Sequence, residues 1–479
     1  RLNARHDGSG DTAGLVITGS DTFISRPVGL CITPTQGACS AGDASCPVFK
    51  KTGETFQLNI KGVAWQADDD KDLCEGNLPT PNFTLANIAL GSQLVAPSPG
   101  VEAVVGTVSY DHSNRQGSSN LNPLTQTVNE VGVFRMTATP PASGYFGYTI
   151  PPASSVPVGR FVPWDFNLVS GAVTPACGDF SYMSQPFDVQ TTVQARNKEG
   201  SVTKNYHDAF ARGALTLVAA NNQDGVDRSN RLDPLVTSWS AGVADFTGQS
   251  RFMRLRELTP SLSAPEEPLR RLQFGLRVAD GETPETSFLA DRDMNPAVTG
   301  TCQSGVNCTA KRLDVPQGTD NTMIAYYGRL LASTRQGAAS APLALPLQVQ
   351  YFEAGLWRVN QDDLCTRISL ANEGIRFTDG EQHYDAATGE LGLQDGTRIR
   401  LGLGPVAPGG SEVRVEGGET RFHFAAPNQS VRIPYQIQLD KLPLQPMAPL
   451  WLADPATADH LLGEAIFGRD RGNDRIIYR

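Results

Sequence analysis

The sequence predicts an all-β fold, built as tandem immunoglobulin-like β-sandwich units with disulfides, and three observations lead to it. Glycine and proline are abundant, 47 and 33 in 479 residues, while the Ala/Glu/Lys/Leu patterning of helix bundles is missing. One strand-turn-strand segment occurs twice, which means repeated units of one architecture rather than one large domain. The eight cysteines include no Cys-x-x-Cys pair, so an even count in a strand-rich chain points to disulfides in an oxidising compartment rather than to zinc.

The repeated segment organises the chain. Residues Phe187 to Tyr206 read as an alternating strand, a polar turn at Asn197 to Gly200 and a second short strand. Phe56 to Gln66, followed by Thr80 to Phe83, has the same plan. The first copy spans 27 positions and the second 19, so the first carries eight extra residues, assigned to the acidic insert Ala67 to Gly76. Ser25-Arg-Pro27 leads into one copy and Gly159-Arg-Phe-Val-Pro163 into the other.

At roughly 150 residues per domain the length allows about three domains. Residues 1–20 are Gly/Ser/Asp-rich and read as a polar linker or arm. A first sandwich is expected over 21–158, with strands at Gly29–Thr33, at Phe56, at Val101–Tyr110 and at Gly132–Thr139, and a loop from Asp111 to Asn122. Pro140-Pro and Pro151-Pro punctuate its end. The second sandwich, a repeat of the first, is expected over 159–317, with strands at Phe161–Val169, Phe187, Gly213–Ala219 and Arg271–Val278. A third β-rich unit follows over 318–479, with strands at Ile324–Leu331, Leu345–Phe352, Leu356–Asn360, Thr397–Leu403, Thr420–Phe424 and Val431–Leu439. Ala456–Phe467 is the best candidate for a helix, with Leu461, Leu462 and Ile466 on one side.

A net charge of −10 argues against nucleic acid or an anionic membrane surface as partner. No run approaches the roughly 18 apolar residues of a membrane-spanning helix. The start has no initiating Met and no signal-peptide core, so a processed or partial product is expected. Six scattered histidines form no His-Glu-x-x-His, and neither Gly-x-Ser-x-Gly nor a phosphate loop occurs, so catalysis is not expected. Asp291, Asp293 and Asn295 place oxygen ligands at alternate positions as a calcium loop does, although Pro296 stands where glycine belongs; a solvated turn is the plain alternative. Calcium is the one cofactor the sequence suggests. Asp362-Asp363 reads as a turn former. Cys302 and Cys308 suit a local closure; Cys31, Cys39, Cys46 and Cys74 suit pairing among themselves, and the partners of Cys177 and Cys365 are open. The terminal Arg475-Ile476-Ile477-Tyr478 reads either as a closing strand or as an edge on which a partner strand docks.

Four segments together carry a family likeness: Gly159 to Phe166, Phe180 to Phe187, Tyr351 to Thr366 and Gly463 to Tyr478. In this order they resemble the C-terminal region of MshQ-like proteins, a family of the mannose-sensitive haemagglutinin type IV pilus system of Gram-negative bacteria. The resemblance implies an extracellular protein, on the cell surface or on a pilus, whose partners are pilus or surface-filament proteins or other copies of itself. It supplies no catalytic residues. The expected function is therefore a non-enzymatic structural or adhesive role in a type IV pilus or pilus-like surface structure. Two rivals are a calcium-dependent adhesin that binds a glycan or host receptor independently of pili, and a secreted hydrolase with an unrecognised carboxylate site.

Overall fold

The structure, a computed structural model, describes residues 2–68, 70–115, 119–221, 224–262, 264–371, 374–377, 383–439, 450–453 and 460–468. Nearly all regular structure is β, arranged as tandem immunoglobulin-like sandwiches. In the first, Gly29–Pro34, Phe56–Val63 and Asn122–Gln126 form one sheet. The facing sheet runs Lys50–Lys51, Ala153–Val162, Gly132–Thr139, Leu85–Ala96 and Ser109–His112. Leu30, Ile32, Leu58 and Ile60 of one sheet meet Ile88, Phe134, Met136 and Val158 of the other, all at most 2% exposed. Each such side chain contributes about 1.5–3 kcal/mol relative to exposure in water.

The second sandwich sets Asp165–Thr174, Pro186–Arg196 and Val243–Arg251 against a sheet of Phe180–Tyr182, Met323–Tyr326, Leu269–Ala279, Ala214–Asn221 and Val226–Asp227. Pro186–Arg196 is its central strand, paired on both sides, and Phe187, Val189, Val193 and Ala195 face the core while Asp188 and Gln190 face water. In the third, the sheet that includes Leu343–Glu353, Glu419–Phe424 and Arg398–Gly404 packs on Thr334–Gly337, His460–Phe467, Val431–Gln438 and Ile375–Phe377.

The two copies of the repeat superpose in their backbone hydrogen bonds. Thr80 N donates to Gly62 O at 2.9 Å and Thr203 N to Ala195 O at 2.9 Å; Phe83 N donates to Thr80 O and Tyr206 N to Thr203 O. Val28 N to Val63 O matches Trp164 N to Arg196 O. In this alignment Val63 to Phe83 spans 20 positions against 10 from Arg196 to Tyr206, which is the length of the Ala67–Gly76 insert, and the first copy's strand is two residues shorter.

Several local expectations are corrected. His460–Phe467 is a strand, not a helix, because it is paired on both sides, with Val431–Gln438 and with Thr334–Gly337. The apolar positions that suggested a helical face lie along a sheet. Leu85–Ala96, read as nothing in particular, is a 12-residue strand, whereas Val101–Val108 carries only a single bridge, from Val105 to Val128. Phe161–Val169 divides at Pro163-Trp164, and Ile324–Leu331 divides at Tyr327, each break being the changeover from one sandwich to the next. The sheets thus carry Ala153–Val162 with the first sandwich and Met323–Tyr326 with the second, past the positions at which proline and glycine suggested boundaries.

Candidate functional site

The chemistry-bearing side chains concentrate at the two places where consecutive sandwiches meet. At the first junction Arg160, 1% exposed, forms a bidentate pair with Glu282: Nη1 to Oε1 at 2.7 Å and Nη2 to Oε2 at 2.6 Å. Its Nε donates to Cys46 O at 2.9 Å. Arg212 adds a longer contact to Glu282, 3.4 Å, and donates to Ala44 O. Arg160 lies near the end of a strand of the first sandwich while Glu282 follows a strand of the second, so folding of both is what brings the charges together.

At the same junction Glu130 accepts from Lys204 N at 2.9 Å and Asn205 N at 3.1 Å, and burial pushes its carboxyl above the usual range. Asn205, fully buried, donates to Val101 O and Val131 O and accepts from Val101 N. Asn197 donates to Asn129 O. Lys198 packs its Cβ beside Gly53 and holds its ammonium over the Trp164 ring, as Lys51 does. Burial lowers the Lys51 pKa. Cys39, Cys46, Val131 and Val133 join the second sandwich's apolar core. A cleft of ≈ 680 Å³ remains alongside, with Lys50, Lys51, Glu54, Arg160, Arg212 and Glu282 on its walls.

The second junction is closed covalently. Cys177 of the second sandwich is bonded to Cys365 of the third, 188 positions later. Asp363, fully buried, accepts from Tyr182 Oη at 2.9 Å, from Cys365 N and Thr366 N at 2.9 Å each, and from Thr366 Oγ1 at 2.7 Å. Asn360 Nδ2 donates to Tyr182 Oη at 2.7 Å. Asp363 therefore forms its turn and also reaches across the junction. Burial, with the Asp363 carboxylate beside it, raises the Tyr182 pKa far above its ordinary value. Arg254 reaches from the second sandwich to Gly328 O at 2.8 Å, to Ala453 O and to Trp451 O, and its guanidinium lies 4.2 Å from the Tyr327 ring centroid. A smaller cleft of ≈ 250 Å³ opens here between Phe187, Asp188, Cys365, Arg367 and Trp451.

The remaining cysteines pair as Cys31–Cys74, Cys39–Cys46 and Cys302–Cys308. In the Asp291 loop, Asp293 is already engaged through both carboxylate oxygens, with Lys311 Nζ at 2.8 Å and Arg312 N at 2.7 Å. Asn295 accepts from Ala297 N and donates to Asn307 O. Asp291 takes a left-handed φ of 50°. Among the described residues no group of three or more His, Cys, Asp and Glu could hold a metal ion. Arg475, Ile476, Ile477 and Tyr478 lie outside the described residues. No helix among the described residues is long and apolar enough to cross a membrane.

The junction residues were largely invisible beforehand. Arg160 and Glu282 are 122 positions apart, and Tyr182 and Asp363 are 181 apart. Two signals bear on them: Arg160 stands beside the changeover proline, Pro163, and Arg160, Tyr182, Asn360 and Asp363 fall within the segments that carry the family likeness, whereas Glu282 does not.

No curated protein sequence matches the chain significantly. Among solved structures, a three-immunoglobulin fragment of titin aligns over 93% of this chain and 100% of its own length, at 9% identity and a TM-score of 0.23. Invasin, a bacterial integrin-binding protein, aligns over 86% of this chain and 57% of its own, at 9% identity and a TM-score of 0.22. The adhesin InvE of Yersinia pseudotuberculosis aligns over 63% and 58%, at 11% identity and a TM-score of 0.18. Nothing about ligands or partners follows from likenesses this distant. Family models are specific where these are not: the second domain of DUF6701 matches residues 26–122, the third 130–309 and the fourth 326–479. With most of its length matched in order, the chain belongs to the DUF6701 family.

Proposed function

We propose that this chain is a non-enzymatic extracellular protein with a structural or adhesive role in a pilus or pilus-like surface structure, akin to MshQ-like proteins. The observation that supports it best is the construction of the junctions. A buried bidentate ion pair ties the first sandwich to the second, and a disulfide with a buried Tyr-Asp-Asn network ties the second to the third. Successive units are thereby held at fixed orientations, as a spacer that presents loops away from a cell requires. Independent units would need no such bonds, since linked domains move relative to one another unless the interface is large or bonded. Disulfides suit a compartment without ATP-driven refolding, because they restrict the unfolded chain permanently.

Immunogold electron microscopy on native cells, with antibody raised against this chain, tests the reading. Label on filaments or their tips, lost when filaments are sheared off, is the expected result. Label spread over the envelope and unchanged by shearing would overturn the pilus assignment.

A further inference from the structure

The end of the first sandwich that faces away from the second is built like a junction surface, yet among the described residues it stands open. The hydrogen-bond correspondence between the two repeats pairs Ala64 with Asn197, Trp65 with Lys198 and Asn82 with Asn205. In the second sandwich these positions touch the unit before it: Asn197 bonds Asn129 O, Lys198 packs on Gly53, and Asn205 is fully buried among Val101 and Val131. In the first sandwich Ala64 is half-buried and Trp65 and Asn82 are exposed, whereas in the second Asn197 and Asn205 are buried and Lys198 stays exposed. Trp65 is 63% exposed and its neighbour Leu78, bonded through Ala64 N to Leu78 O, is 74% exposed; Asn82 is exposed as well.

The loop at 140–150 lies on the same end, because the strands that flank it, Gly132–Thr139 and Ala153–Val162, run toward the second sandwich at their other ends. Its tip carries Phe146, 71% exposed at a left-handed φ of 47°, and Tyr148, 51% exposed. A bulky aromatic side chain in that backbone region is unfavourable by about 1 kcal/mol or more, and the ring rests edge-to-face on its neighbour Tyr145, 4.6 Å between centroids, while staying largely exposed. The segment that leads into this end holds Phe23 and Ile24, 63% and 46% exposed. Ahead of it Leu2–Asp7 pairs only with Val16–Asp21 among the described residues, and every residue of Val16–Asp21 is exposed. A two-stranded ribbon is marginal alone and gains stability from a further strand or a packed face. Exposed apolar groups gathered at one end of a unit point to an interaction surface.

We propose that this end is the seat of the family's first domain, docked on the first sandwich in the way that the first sandwich receives the second, with the ribbon of residues 2–21 completing its sheet. The occupant follows from two facts. The family models matched here are the second, third and fourth, in order, with the second starting at residue 26, directly after the ribbon. The open surface is also the repeat equivalent of one where a preceding sandwich buries Asn197 and Asn205 and touches Lys198. Trp65 in place of Lys198 makes this junction more apolar than the one observed. The proposal is independent of the pilus assignment.

Hydrogen exchange read by mass spectrometry tests it, comparing this chain with the longer polypeptide that includes a first domain. Amides at 64–66 and 78–84 are expected to exchange about tenfold or more slowly in the longer polypeptide. A Trp65→Ser/Leu78→Ser variant of it should lose that protection while the core strands keep theirs, since both side chains are exposed in the present fold. Equal exchange in the two polypeptides would overturn the proposal. So would protection that grows with concentration in this chain alone, which would assign the surface to a second copy. Saccharide binding that depends on Trp65 without any difference in exchange would overturn it too, assigning the aromatic loops to a ligand.

Discussion

Removing the Glu282 carboxylate should be the most damaging single change at the first junction. The side chains of Arg160 and Glu282 are 2% and 9% exposed, so the pair is out of water, and Glu282→Ala leaves a guanidinium with Cys46 O as its remaining acceptor. Breaking a buried pair from one side costs about 3–5 kcal/mol, most of it the burden of the stranded charge. For a unit of this size each kcal/mol moves the melting temperature by about 2–4 °C, so a drop of roughly 6–20 °C is expected in the transition of the first two sandwiches. Arg160→Met should cost less, because Arg212 still stands 3.4 Å from the Glu282 carboxylate. The double variant Arg160→Met/Glu282→Leu should recover much of the loss, since apolar replacement of a buried pair is often close to neutral. Scanning calorimetry, with urea unfolding followed by tryptophan fluorescence, reads all three. Several units unfold here, so the transitions need separate assignment. A Glu282→Ala protein within 0.5 kcal/mol of wild type, or a double variant worse than either single one, would refute the argument that the junction depends on a compensated buried charge.

Other consequences are open to measurement. Cys177→Ser/Cys365→Ser opens a closure of 188 positions; loss of a native bridge costs about 2–5 kcal/mol, and the chain-entropy picture puts a loop this long at the top of that range, read as an earlier urea transition of the third sandwich, and an unchanged transition would count against it. Tyr182→Phe leaves Asn360 Nδ2 without its acceptor and removes one donor from Asp363, for a cost of about 1–3 kcal/mol in the same assay. His112 is buried, with Nε2 accepting from Asn122 and Nδ1 beside Tyr110 Oη, and burial brings its pKa down to about 4. The unfolded chain then binds more protons than the folded one between pH 4 and 6.5, so this contribution is whole above pH 6.5 and is lost as pH falls toward 4, by roughly 1–3 kcal/mol. His112→Gln should flatten that slope, and an unaltered slope would rule the group out.

What could be read in advance was whatever is local or periodic. Alternation in Pro186–Arg196 announces its own strand, and the repeat is legible because both copies keep the Thr and aromatic residues that close the turn, Thr80 with Phe83 and Thr203 with Tyr206. Leu85–Ala96 escaped notice because its burial does not alternate cleanly: only Ile88 is fully buried, and a register shift interrupts its pairing. Strand and helix could not be told apart at His460–Phe467, where apolar spacing fits either and only pairing with two distant strands decides. A six-residue separation suggests closure of Cys302 on Cys308, whereas nothing local announces Cys177 with Cys365. The junctions were hidden for the same reason. Arg160, Glu282, Tyr182 and Asp363 look like ordinary strand and turn residues until tertiary folding removes their water.

The claim that the sandwiches form one rigid body is tested most directly by a distance distribution across both junctions. Spin labels on non-cysteine side chains introduced at Val156 in the first sandwich and Val406 in the third, exposed by 49% and 85%, leave the four disulfides intact. Pulsed electron paramagnetic resonance should give a single narrow peak that broadens in Glu282→Ala and in Cys177→Ser/Cys365→Ser. A broad or multiple distribution in the wild-type protein would contradict the account, because freely jointed sandwiches could not hold their loops in a fixed presentation.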